Sequence, residues 1–208
     1  MTIRSVLHEI GRVKQVQVQR SALKVGKRPH AYYDPTPLLA VAYLLVTPHG
    51  AIGVTTEGEQ VMDVHHAHRP DSRNHEGLND LSVGFTSHYA AMRARFGTQI
   101  FDGCAGENIL VETERPYIPG DLQDGLAIQN SATGEIVYLG GLKVAVPCVE
   151  FSQYAANFGM PLPAQALKET LQFLDHGQRG FYAKLAAHQT GGSIQANDRV
   201  FVVTNNAG

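Results

Sequence analysis

Residues 13–18 place Val13, Val16 and Val18 among Lys14, Gln15 and Gln17, the alternation of a strand with one buried face. Residues 38–46 are almost continuously apolar and end at Thr47-Pro48-His49-Gly50, a turn followed at once by the apolar residues 51–54. This reads as a hairpin whose first strand is buried on both faces, although a buried helix fits the same run. Further on the period changes. Phe85, Tyr89, Met92 and Phe96 recur at helical intervals ahead of Gly97, which predicts a helix over residues 83–96. A second helix over 163–176 is marked by Pro163 in its first turn, by Leu167, Leu171 and Leu174 on one face, and by Gly177 beyond its end. Short β-type runs fill the rest: residues 108–111, 126–128, 135–139, 142–146 after Gly140-Gly141, 180–185 and 200–203. Many short strands with two modest helices predict an α+β fold, predominantly β, on a curled or barrel-like antiparallel sheet.

The 208 residues show no repeat, low-complexity stretch or linker-like shift in composition, so residues 1–208 read as one domain. A hydrophobic content of 43% supports a sizeable core, and 17% charged residues is too few for a disordered chain. No apolar run approaches the ~18 residues that span a bilayer, and the start lacks the apolar stretch of a secretory signal. The chain therefore reads as cytoplasmic, without a membrane partner. A net charge of −2 with no Lys/Arg block leaves no footprint for nucleic acid. Only two cysteines, Cys104 and Cys148, are present, which argues against a disulfide framework or a thiolate zinc site.

Cys148 has the more informative setting. A β-type run ends in Pro147-Cys148, and residues 149–154 can begin a short helix. A thiol at that corner lies near the unpaired N–H groups and the positive end of the helix, which favours thiolate, the form that binds metals and carries sulfur. A small buried thiol filling the corner fits equally. Cys104 stands in a Gly-spaced loop with no such feature. Gly106-Glu107-Asn108 offers close backbone approach together with an acceptor and an amide, although a turn accounts for it as well. Arg179, in Gly177-Gln178-Arg179-Gly180, could present its guanidinium to an oxyanion or simply occupy a turn. His65, His66, His68 and His75 crowd the segment after Asp63-Val64. On a strand His66 and His68 would share one side as a chelating pair, with Asp63 behind them, so a histidine-held zinc is the alternative reading. Pro70 and Asp71 break the His-x-His-x-Asp-His pattern of metallo-β-lactamase-like hydrolases.

Taken in order, Asp63-Val64-His65-His66, Ser87-His88-Tyr89, Gly106-Glu107-Asn108, Pro147-Cys148, Gly177-Gln178-Arg179-Gly180-Phe181-Tyr182-Ala183 and the segment 192–200 resemble the MOSC family, the domain named for the C-terminal part of molybdenum cofactor sulfurases. The resemblance is clearest over residues 50–203. It implies a β-barrel-like α+β fold and a cleft for the molybdenum cofactor, a pterin dithiolene bearing a phosphate. Cys148 matches the family cysteine that ligates molybdenum or carries sulfur as a persulfide. Gly106, Glu107, Asn108, Arg179, His65 and His66 fall on the cofactor side of the match. Two departures stand out: Val144-Ala145-Val146 precedes Pro147 where many members have a nearby Arg, and the family's late Gly-Asp step is Asn197-Asp198. The resemblance implies either a molybdenum-dependent reductase of N-hydroxylated compounds, served by an electron-donor protein, or a carrier of cofactor or sulfur supplied by a desulfurase.

Overall fold

The computed structural model describes residues 4–206 except 75, 76 and 78, so His75 of the histidine-rich segment lies outside the described residues. The chain begins with a long strand, β1 (Arg4–Gln19), followed by a small hairpin of β2 (Lys24–Val25) and β3 (Tyr32–Tyr33). Next come β4 (Leu38–Ala40), β5 (Tyr43–Thr47), β6 (Gly50–Val54), β7 (Gln60–Met62) and β8 (Leu81–Phe85), which runs directly into helix α1 (Thr86–Phe96). Strands β9 (Ile109–Glu112), β10 (Leu126–Gln129) and β11 (Ile136–Val144) precede helices α2 (Val149–Asn157) and α3 (Ala164–Leu174). The chain closes with β12 (Phe181–Leu185), β13 (Gly192–Gln195) and β14 (Arg199–Asn206).

The strand order β14-β10-β11-β12-β8-β9-β1 returns to β14 through an antiparallel β1–β14 pairing, which makes a closed seven-stranded barrel. Closure removes the open edges that a flat sheet would expose. Every pair is antiparallel except β8–β9, which is parallel, a departure from the all-antiparallel expectation. The departure follows from α1: a helix between two neighbouring strands carries the chain back to the same end of the sheet. A second sheet, β13-β5-β6-β7, packs its Leu44, Val46, Ala51 and Ile194 into the core that fills the barrel. β1 bends where its register shifts between Glu9 and Gly11. Gly11 has φ +151°, and a Cβ there would stand 1.9 Å from Glu112 O, so only glycine passes that point.

Several elements differ from the sequence reading. The run 38–46 is strand, not helix, but it splits at Val41-Ala42: β4 pairs with β1, whereas β5 pairs with β6 and β13. β5 is buried at alternate positions rather than on both faces. The predicted first helix starts three residues late, at Thr86, because residues 83–85 complete β8 in the barrel wall; tertiary pairing overrides the apolar spacing there. Residues 135–139 and 142–146 are not two strands. β11 runs through Gly140-Gly141 with a register shift against β12, as an irregular insertion in one strand does.

A smaller core lies outside the barrel, where Tyr89 and Met92 of α1, Phe151 and Ala155 of α2 and Leu174 of α3 meet Leu23, Tyr33, Ile100 and Cys104. This core holds the β2–β3 hairpin and the loop 101–108 against the barrel, and the candidate site lies beside it.

Candidate functional site

The site begins with the polar half of β1. Gln17 and Gln19 are buried although their alternation with valine marks them for solvent. Gln17 Nε2 donates to Gly103 O and Glu107 O at 2.8 Å each, and Gln19 Nε2 donates to Gly106 O at 2.7 Å. These bonds shape the loop 103–107. Gly106 has φ +95°, and a Cβ there would meet Leu23 at 2.7 Å, so the close approach requires glycine.

Asp63, fully buried, ties the next layer together. Its Oδ2 accepts Gln19 N–H at 2.7 Å and Asn108 Nδ2–H at 2.9 Å; its Oδ1 accepts His65 N–H and lies 2.9 Å from His65 Nδ1. Asp63 therefore orients His65, not the His66–His68 pair that the sequence suggested. Asn108 Oδ1 also accepts from Ser82 N–H and Oγ–H at 3.0 Å, so both ends of its amide are engaged and it clamps β8 to β1 behind the site.

In front of this wall lies a cavity of about 250 Å³, lined among others by Gln19, Lys24, Tyr33, His65, Arg73, Ser82, Gly106, Glu107, Val146, Arg179 and Tyr182. Glu107 is buried at its floor. Its Oε2 accepts the Tyr89 hydroxyl at 2.6 Å, and its Oε1 has no hydrogen-bond partner. Burial raises the pKa of Glu107 to about 7, outweighing the hydrogen bond from Tyr89 and the positive charge of Arg179. Burial likewise holds the Tyr89 and Tyr33 hydroxyls in their neutral forms.

Arg179 enters from the turn between α3 and β12. Its Nη1 donates to Val146 O and its Nη2 to Ala105 O, both at 3.3 Å, and the guanidinium packs 5.3 Å from the centre of the Phe151 ring. Its Nε is buried without a partner. Burial disfavours its charge, but the surrounding Cys148, Tyr33, Tyr182 and Glu107 hold its pKa above the ordinary arginine value. Two unpartnered buried polar atoms, one donor and one acceptor, thus belong to side chains lining the same cavity. A protein interior leaves few such atoms, and each calls for a partner such as a water, an ion or a ligand; Asn74 Oδ1, His88 Nδ1 and Glu150 Oε2 are the others among the described residues.

Cys148 stands at the N-cap of α2, as the strand-to-helix reading expected, and is half-buried. Its Sγ accepts the Phe151 N–H at 3.5 Å. It lies two residues beyond Val146 of the cavity wall and couples electrostatically to Arg179 and Tyr33, both of which line the cavity. The buried Glu150 beside it lies 3.8 Å from Lys24 and 3.5 Å from Arg28 of the β2–β3 hairpin. These charges and its own backbone N–H hold its pKa low against the effect of burial. Cys104 is fully buried, and burial pushes its thiol pKa up.

The structure brings Gly106, Glu107, Arg179 and His65 together around one cavity; Cys148 is not among its lining residues and stands two positions beyond Val146 of the wall. It does not bring His66 there. His66 and His68 sit in turns rather than on a strand, and their rings pack with His49 from the β5–β6 hairpin, at centroid distances of 4.1–6.4 Å. Among the described residues no three His, Cys, Asp or Glu side chains converge as a metal-holding group. Sequence reading passed over Gln19, Tyr33, Ser82 and Tyr182. Of these only the Gln19 alternation carried a signal, and it pointed to solvent.

Fold and site together define a closed seven-stranded barrel protein with a cationic cavity flanked by a helix-capping cysteine. No protein-family model matches the chain, and no curated protein matches it in sequence. Solved structures do match. YuaD from Bacillus subtilis is similar with a TM-score of 0.55 and 10% identity, over 98% of this chain and 99% of YuaD. A crystal structure described as that of a hypothetical protein gives a TM-score of 0.52 at 14% identity, over 94% of this chain and 69% of the other. YiiM from Escherichia coli gives a TM-score of 0.49 at 15% identity, over 95% and 72%. The first two likenesses show a shared fold.

Proposed function

We propose that the chain is a MOSC-type domain whose cavity takes an anionic, phosphate-bearing cofactor of the molybdenum class, with Cys148 as the sulfur that ligates the metal or carries sulfur as a persulfide. The observation that carries this reading is the half-buried Arg179 with its buried, unpartnered Nε, lining the same cavity as the unpartnered Glu107 Oε1. A guanidinium with a buried N–H short of a partner suits an oxyanion in geometry and charge. Lys24 and Arg73 add positive charge to the lining.

The donor set fits the group. Among the described residues no His or carboxylate trio converges beside Cys148 to hold a bare metal ion, whereas one cysteine suffices for a metal that arrives with its own organic ligand. The cavity, at about 250 Å³, suits one end of such a cofactor. Arg179 would hold its anionic portion, Glu107 and Gln19 its polar ring edge, and Cys148 its metal or a transferred sulfur. When bound, such a cofactor supplies a metal centre able to exchange an oxo group with a substrate. The closed barrel agrees with the fold that the MOSC resemblance implies.

The test is elemental molybdenum and pterin content of protein made in a host competent for molybdenum cofactor synthesis. Near-stoichiometric molybdenum in the wild type, lost in Cys148→Ser and reduced with the pterin in Arg179→Ala, is expected; Cys104→Ser should keep both. No molybdenum and no pterin in the wild type, or equal loss in the two cysteine variants, defeats the reading. Turnover of N-hydroxylated compounds with a reduced electron donor separates a reductase from a carrier.

A further inference from the structure

Glu107, buried, and Arg179, half-buried with its Nε enclosed, line one cavity, and neither is fully satisfied. Tyr89 occupies Glu107 Oε2 and is itself fixed by the Ala105 N–H at 3.0 Å, so the carboxyl cannot swing away. Gly84 and Gly180 leave just enough room: a Cβ on Gly84 would stand 2.6 Å from Glu107 Oε1, and one on Gly180 3.2 Å from it. Asp102 and Cys104 of its own loop, Tyr33 of β3, Tyr89 of α1 and Arg179 of the turn before β12 act on Glu107, and Lys24, His65 and Arg73 line the same cavity. Arg179 is the cation whose charge lowers the Glu107 pKa. An anion arriving at Arg179 makes two negative groups compete for one guanidinium, beside a buried carboxyl where like charges interact strongly.

We propose that anion binding in this cavity is proton-coupled: an anion held by Arg179 is matched by a proton taken from solvent onto Glu107 Oε1. The proton neutralises the second negative charge and converts the unpartnered acceptor into a donor that can face the anion. This rests on the oxyanion reading of the cavity and specifies how that site responds to pH. The intrinsic affinity of Glu107 for a proton is already poised for it, since burial raises its pKa to about 7. Linkage fixes the sign. Binding is tightest where Glu107 is protonated beforehand and weakens as pH rises through that range, approaching about tenfold per pH unit.

The experiment is calorimetric titration with sulfate, which keeps its charge between pH 6 and 8.5, in two buffers of different ionisation enthalpy. The wild type is expected to take up about half a proton per sulfate at pH 7 and more at pH 8. Glu107→Gln should bind sulfate with no proton uptake and no loss of affinity above pH 7; uptake that persists in Glu107→Gln but is lost in His65→Asn assigns the proton to His65 and overturns the proposal. Because uptake is read on the wild type, the result does not depend on a variant folding. An Arg179-dependent sulfate site without proton uptake overturns the coupling and leaves the oxyanion reading standing. Absence of saturable sulfate binding overturns both.

Discussion

Replacing Glu107 by glutamine should stabilise the protein, and by an amount that depends on pH in a definite direction. The folded-state pKa of Glu107 is raised from 4.5 to about 7, with burial as the largest cause. The unfolded chain therefore releases this proton above pH 4.5 while the folded chain retains it until about pH 7. Between those values folding loses stability at about 1.4 kcal/mol per pH unit, a total cost of about 3 kcal/mol at pH 8. Glu107 is only 4% exposed, so solvent screening does little to reduce this figure. Glutamine has nearly the same shape, keeps an acceptor for the Tyr89 hydroxyl and carries no charge to desolvate. Glu107→Gln should thus gain about 3 kcal/mol at pH 8 but less than about 1 kcal/mol at pH 5. At about 2–4 °C per kcal/mol for a chain of this size, thermal unfolding followed by circular dichroism should show a rise of about 6–12 °C at pH 8. An equal shift at both pH values, or a loss at pH 8, refutes the argument, because either means that Glu107 does not carry an uncompensated charge in the fold.

His88 makes the opposite prediction on the acid side. It is buried on α1, its Nε2 accepts the Tyr117 N–H at 3.1 Å, and burial lowers its pKa from 6.5 to about 4. Its neutral ring is the form the fold accepts, so stability falls as the unfolded chain protonates below pH 6.5, by about 2 kcal/mol at pH 5. His88→Gln should flatten that part of the profile in urea unfolding at pH 7 and pH 5; an unchanged slope rejects the assignment. Gly84→Ala drives a methyl into Glu107, whose other oxygen is pinned by Tyr89. It should cost about 1–3 kcal/mol of stability and weaken sulfate binding well beyond tenfold. Unaltered sulfate affinity would show that the Glu107 position is unimportant to the cavity.

What was legible in the sequence was local. The helix stop at Gly97, the strand-to-helix corner at Cys148 and the turn at Gly177–Gly180 each rest on a few neighbouring residues, and each is present. Asn197 takes φ +71°, a left-handed backbone that asparagine tolerates and glycine adopts freely. Asp198 beside it accepts from Ser131 N–H and Gln195 N–H and closes the loop into β14. What was not legible is non-local. Barrel closure joins Arg4–Arg12 to Arg199–Asn206, and no composition rule pairs segments nearly two hundred residues apart. The break at Val41-Ala42 likewise exists because two different sheets claim the two halves of one apolar run. The histidines mislead for a related reason. His65 and His66 are adjacent, yet the turn after Asp63 directs one to the cavity and the other to a cluster with His49, which comes from another hairpin.

The cavity wall shows why a hydrophobic pattern underestimates a binding site. Binary patterning assigns Gln17, Gln19, Asp63 and Asn108 to solvent, since polar groups are buried only where other groups satisfy them. Here they satisfy one another and the loop 103–107, at distances of 2.7–3.2 Å. The network holds backbone carbonyls turned inward and so fixes the position of Glu107. A core of that kind contributes less stability than an apolar one of the same volume, and it leaves Glu107 Oε1 and Arg179 Nε without partners. Of the five buried, unpartnered side-chain polar atoms among the described residues, these two share one cavity whereas Asn74 Oδ1, His88 Nδ1 and Glu150 Oε2 lie outside its lining, and it is this pairing of a donor with an acceptor on which the proposed anionic ligand rests.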